Sequence, residues 1–177
     1  MKTRVIVYVG FIVAMALAAT TVLYVQTPDV EFDYLKGSSL LAVIGFVAGS
    51  LAYRVQRSSR GETSFLPYLS ALVLYPSWSV VALIGIGTAA AELRRKKTGV
   101  KRVFNVAQFV LASAVSSLVY TILGGKPLAG ADASFNAVPH SAAVIAFLAV
   151  NTFAVAAAIG FSEGKGILRT WYDGNAA

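Results

Sequence analysis

FLPYLSALVLYPSWSVVALIGIGTAAAELRRKKTGVKR, residues 65–102, is the stretch on which the fold turns. It begins apolar, breaks at Pro76, resumes apolar through Gly85 and Gly87, and ends in Arg94, Arg95, Lys96, Lys97, Lys101 and Arg102. Arg54, Arg57 and Arg60 stand just ahead of it. Lysine and arginine in short loops stay on the cytoplasmic side of a membrane. An apolar stretch with cations at both ends must therefore enter and leave on one face.

The surrounding chain makes the membrane setting plain. Of 177 residues, 57% are hydrophobic and 13% charged, far from the roughly 25% charged of a soluble domain. The apolar residues gather in runs of about 20, the length that crosses roughly 30 Å of hydrocarbon as a helix. Backbone groups must be paired within each run, and nothing alternates as a barrel strand would. The expectation is an all-α polytopic membrane domain over residues 1–160, with a polar cytoplasmic tail over 161–177. Residues 5–25 are too long an apolar core for a signal peptide and read as the first span.

Four full spans are expected, at 4–25, 34–53, 101–123 and 139–160. Gly10, Ala14 and Ala18 give the first a small-residue stripe. Gly45-xxx-Gly49 gives the second a close-packing face, read here as a contact within the chain rather than a dimer seam. With the N-terminus inside, thirteen of the fifteen Lys and Arg residues fall on the cytoplasmic side and only Lys36 and Lys126 outside. Both termini are then cytoplasmic. Residues 65–93 would make about 43 Å of helix, short of the roughly 60 Å of two crossings. Two short or half-membrane helices, 65–74 and 77–93, hinged at Tyr75-Pro76, satisfy both constraints. The rival, one long span kinked at Pro76, breaks the charge rule at one end.

The composition excludes several functions. The net charge of +7 sits at the ends of apolar runs, where cations orient helices and meet anionic lipid heads, so nucleic acid is not the partner implied. Arg94, Arg95, Lys96, Lys97, Lys101 and Arg102 are the expected lipid contacts. Without cysteine there is no disulfide framework or thiolate site. No cofactor or metal is expected, and no catalytic constellation appears, so the chain does not read as an enzyme. No charge is placed securely within a span, with Glu92 read at a helix end beside four cations, which argues against an ion-coupled transporter. His140 is read as interfacial and solvated. The polar residues within spans are Asn105, Gln108, Ser113, Ser116, Ser117 and Asn151. They either hydrogen-bond between helices, at about 1 kcal/mol or less each, or form a small ligand pocket under Pro76. Tyr68, Tyr75, Ser77 and Trp78 would complete that pocket.

At Phe65-Leu66-Pro67-Tyr68, and again at Val103-Phe104-Asn105-Val106-Ala107-Gln108, the chain resembles the N-terminal multi-helix membrane regions of bacterial signalling proteins. Those proteins carry cytoplasmic cyclic-di-GMP output domains of the GGDEF or HD-GYP kind. Ser162-Glu163-Gly164 followed by Trp171 fits the same group, so the resemblance covers roughly residues 60–171. It implies a sensory input module in a bacterial cytoplasmic membrane, with Asn105 and Gln108 at family-like positions. Beyond Trp171 the likeness lapses, and no output domain follows before Ala177. The expectation is either a fragment of a longer signalling protein or a module that contacts a separate protein partner. The leading functional expectation is thus a non-enzymatic sensor or interaction module. An accessory subunit of a larger membrane complex and the substrate-binding subunit of a small-molecule importer are the alternatives.

Overall fold

Proline and glycine set where the apolar runs stop. The computed structural model describes residues 3–27, 32–51, 53–54, 60–61, 65–129 and 135–175. Within these lie α1 (Thr3–Gln26), α2 (Phe32–Ser50), α3 (Phe65–Leu74), α4 (Trp78–Leu93), α5 (Gly99–Ile122), α6 (Ala137–Glu163) and α7 (Ile167–Asn175). Between α2 and α3 a two-residue antiparallel ladder pairs Tyr53 with Gly61 and Arg54 with Arg60. Residues 28–31 and 130–134 and most of the basic loop after α2 lie outside the described residues.

α3 stops where Pro76 has no N–H to continue the ladder. The Tyr75 N–H still reaches Ala71 O at 2.9 Å, and Ser77 is extended ahead of α4. α5 ends at Gly124, whose φ of 76° suits glycine, with the Gly125 N–H closing on Tyr120 O at 2.9 Å. α6 opens on Asn136, whose side chain accepts from the Val138 N–H at 3.1 Å. Pro139 falls in the first turn, where amides lack helical partners anyway. Gly164, at φ 74°, reverses the chain after α6 and lays α7 back along it.

Side-chain contacts fix the direction of each helix. Val5 and Val9 of α1 share one cavity wall with Val100, Lys101, Phe104 and Asn105, and Val13, Ala16 and Leu17 share another with Val103, Val106 and Val110, so α1 and α5 run parallel. The Ser116 hydroxyl on α5 donates to Ala143 O on α6 at 2.9 Å, while Tyr8 of α1 donates to Ala154 O at 3.1 Å, so α6 runs back. On α2, Gly37 abuts Tyr75 and Gly45 abuts Tyr68, which makes α3 antiparallel to α2. Gly87 of α4 meets Ala42 and Phe46, and Arg95 reaches Gly49 O, which makes α4 parallel to α2. α3 and α4 are therefore the two arms of a hairpin, opening at the end of the bundle where α1 and α5 begin and α2 and α6 finish. α5 is the most buried of the three long apolar helices and packs against α1, α3, α4 and α6.

Tyr68 wedges the hairpin shut. Its ring is 1% exposed, edge-on to Phe109 at 6.0 Å, and lies against the backbone of Gly45 with its hydroxyl toward Gly87. Gly45 thus serves packing within the chain.

Three details depart from the sequence reading. α2, expected over 34–53, runs Phe32–Ser50, and among the described residues α1, α5 and α6 are long and apolar enough to cross a bilayer. The hairpin reaches further than half-depth, since Trp78 at its tip packs edge-on against Tyr24 near the end of α1. The tail forms a docked helix because Ile167 and Trp171, four apart, give it an apolar side to lay on α6.

The absence of cysteine offers a clean labelling background. Leu51→Cys, Lys96→Cys and Ser162→Cys are expected to react from one side of sealed vesicles and Lys126→Cys from the other. Leu51 and Lys96 on opposite sides would replace the hairpin by a kinked span. Gly45→Ala drives a methyl into the Tyr68 ring and is expected to lower stability by about 1–3 kcal/mol. Part of that loss should return in thermal unfolding when Tyr68→Leu is added.

Candidate functional site

The interior stripe of α4 runs Val81, Ile84, Thr88, Ala91, at the three- and four-residue spacing of one helix face. Glu92 continues it, so the carboxylate is carried inside and is 2% exposed. A buried carboxylate is costly unless paired. Here the chain turns at once, with Arg95 N–H to Glu92 O at 3.2 Å and Lys97 N–H to Arg95 O at 2.9 Å. That turn brings two cations around the acid. Glu92 Oε1 accepts from Arg95 Nη1 at 2.7 Å and from Lys97 Nζ at 2.8 Å.

The pair extends into a knot between helices. Arg95 Nη2 donates to Gly49 O at the end of α2. Arg102 Nη2, on α5, donates to Arg95 O at 3.0 Å. One acid and three cations thus tie α2, α4 and α5 where the hairpin opens. Glu92 Oε2 and Arg102 Nε are buried with no hydrogen-bond partner among the described residues.

Glu92 does lie at a helix end beside the cations, as expected, but it is buried, and three of the six cations expected at lipid turn toward it. Arg95, Lys97 and Arg102 turn inward because the buried carboxylate attracts them. Arg94, Lys96 and Lys101 remain exposed, with Arg94 over the Phe46 ring at 5.6 Å. The signal for Glu92 was present in the sequence, since it keeps the register of the apolar stripe through Thr88 and precedes Arg95 by one turn.

Next to the knot, a cavity of about 650 Å³ opens between α1, α5 and α6. Asn105, Lys97, Lys101, Ser162 and Glu163 supply its polar wall. Asn105 is half-buried there, while Gln108 is 3% exposed inside the bundle and its Oε1 has no partner among the described residues. Asn151 stands level with Gln108, eight residues along each helix from the Ser116–Ala143 bond. The Thr88, Ser113 and Ser117 hydroxyls are likewise buried without a partner among the described residues.

The hinge residues are elsewhere. Gly85 of α4 abuts Val110 of α5, and seven residues along each helix sets Trp78 level with Ser117. Trp78, Tyr75 and Pro76 therefore lie roughly 18 Å along α5 from Asn105 at 1.5 Å per residue. Tyr68 is a packing wedge between them. The structure does not gather Pro76, Asn105 and Asn151 around one pocket, because helix register separates what the pattern of polar residues suggested. His140 lies at the hinge end, packed rather than freely solvated. Its ring meets Phe135 at 4.6 Å and Tyr120 at 5.1 Å. No group of metal-binding side chains occurs among the described residues.

α7 is the element that the sequence reading missed. Trp171 stacks on Phe153 of α6, ring centroids 5.1 Å apart and planes 3° from parallel. Its Nε1 donates to Thr152 Oγ1 at 3.2 Å. The cue was the pairing of Ile167 with Trp171 one turn later.

The model of one family, MASE9, matches residues 3–174, which takes in α7 as well as the bundle. No curated protein and no solved structure matches the chain.

Glu92→Leu leaves Arg95 and Lys97 without their counter-charge. It is expected to destabilise the bundle by about 3 kcal/mol, the lower end for a broken buried pair, because the Lys97 side chain stays 25% exposed. Replacing Glu92, Arg95 and Lys97 together by leucine should recover most of that loss in thermal unfolding.

Proposed function

Since the chain belongs to the MASE9 family, whose kind are membrane-associated sensor domains of signalling proteins, we propose that it is a non-enzymatic input module that passes a change in helix packing to a cytoplasmic partner. The observation that carries this reading is the Glu92 knot. A buried acid shared by two cations, one bonded to α2 and the other lining a cavity, is an element with alternative arrangements. Lys97 both binds Glu92 and lines the cavity beside Asn105. A ligand that draws Lys97 into that cavity loosens its hold on Glu92, and α4 is then freer to move against α2 and α5. A ligand shifts such an equilibrium only by its differential affinity for the two arrangements.

The basic end of the bundle is the output side of this reading. It holds the exposed Arg94, Lys96 and Lys101, the hairpin opening and the start of α7. By the charge rule it faces the cytoplasm, where a signalling partner resides. The Asn105 cavity, at the same end, is where a ligand would act, and the resemblance to cyclic-di-GMP signalling proteins supports Asn105 as a position to probe.

Gentle extraction of the full chain from its native membrane, with and without Glu92→Gln, tests the proposal. A single signalling enzyme that travels with the wild type and is lost, or altered in output, in the variant is the expected result. Migration in a large assembly of fixed stoichiometry, unchanged by Glu92→Gln and Asn105→Ala, would overturn it in favour of a structural subunit.

A further inference from the structure

The cavity beside Asn105 is polar at one end and apolar along its depth. The helix directions put Lys101 and Ser162 at its mouth, on the basic end, and Val9, Phe104, Asn105 and Val155 further in. Val155 is 36% and Ile159 40% exposed, so the α6 wall leaves the cavity an open side at membrane depth. Two ammonium groups serve the mouth. Lys101 has no ion pair among the described residues. Lys97, with its side chain 25% exposed, gives one bond to Glu92 and has further donors to spare. Glu163, the acid on this wall, is taken by Lys165 at 2.7 Å. The first turn of α5 adds to the positive field, since its amides lack helical acceptors and Thr98 makes no side-chain cap. One turn deeper than Lys101, the half-buried Asn105 lines the cavity with no hydrogen-bond partner among the described residues, and its amide can both donate and accept.

We propose that this cavity binds an acyl glycerol phosphate. The phosphate monoester meets Lys97 and Lys101, the glycerol ester or hydroxyl meets Asn105, and the acyl chain runs past Val155 and Ile159 to the open side. Lysine serves phosphate as a point charge, and a monoester has oxygens for both ammonium groups at once. A phosphocholine head would bring its own cation to the two lysines. A fatty-acid carboxylate would leave Asn105 without a partner. This assignment rests on the signalling reading for the role of the cavity, while its readout is occupancy and not output.

Native mass spectrometry of the full chain in dodecyl maltoside micelles tests it, with palmitoyl lysophosphatidate, palmitoyl lysophosphatidylcholine, palmitate or inorganic phosphate added. One lysophosphatidate per chain is expected, held about tenfold more tightly than either other amphiphile, the ratio of one charge-assisted hydrogen bond. Lys101→Gln should remove most of the gap to lysophosphatidylcholine, and Asn105→Leu most of the gap to palmitate. Ala158→Leu, which fills the cavity without touching charge, should abolish retention. Arg94→Gln/Lys96→Gln, which strips exposed cations away from the cavity, should leave it. Loss in that double variant but not in Lys101→Gln would show general attraction to anions and overturn the proposal. Equal retention of the three amphiphiles would do the same, and inorganic phosphate held as tightly as lysophosphatidate would make this a site for a free anion instead. Should Ala158→Leu fail to fold, Lys101→Gln and Asn105→Leu decide. A chain that retains lysophosphatidate as expected, yet passes no change to a partner, would sink the signalling reading and leave this assignment standing.

Discussion

A carboxylate at the end of an apolar helix is the constraint from which the basic end of this bundle follows. Glu92 is buried because it keeps the register of the α4 stripe, and in a medium of low polarity it must find positive partners. Arg95 and Lys97 lie within one turn and a half, so the chain has to fold over the acid before it can start α5. Arg95 then has a nitrogen left for Gly49 O, and its own carbonyl is left for Arg102. The end of α2, the exit of the hairpin and the start of α5 are thereby held at one level.

Much of the architecture was legible because lipid simplifies the problem. Backbone pairing forces helix, the distribution of Lys and Arg forces the two ends of the central stretch onto one face, and Pro76 marks the only place to turn. Those signals yielded the hairpin before any coordinate. The finer placements depend on helix phase, which polar composition does not reveal. Asn105 and Gln108 are three residues apart, yet one borders a cavity and the other is sealed in the bundle. Pro76 and Asn105 are close in the list of suggestive residues and far apart along α5. A run of six cations reads as lipid-facing until the burial of one acid is known, and then half of the run turns inward.

The tail was illegible for a different reason. Nine residues with Asp, Gly and Asn among them have little intrinsic tendency to be helical, and short isolated helices are marginal in water. α7 exists because Gly164 reverses the chain and Trp171 finds Phe153 and Thr152. Its stability is tertiary, so the one local cue, Ile167 and Trp171 a turn apart, is too weak to announce a helix without α6 beneath it.

The hairpin also constrains how the protein is made. α3 has ten residues, about 15 Å of helix, too little to be accepted by a membrane as a span of its own. Only together with α4 does it make up a membrane-embedded unit. The slot beside Gly45 stays open on α2 until that unit forms, since Tyr68 cannot seat before α3 is in place. α5 follows the hairpin and carries the faces that α1, α3 and α4 need. The shortness of one helix thus makes α3 and α4 a single unit, whose seating against α2 depends on Tyr68 finding Gly45.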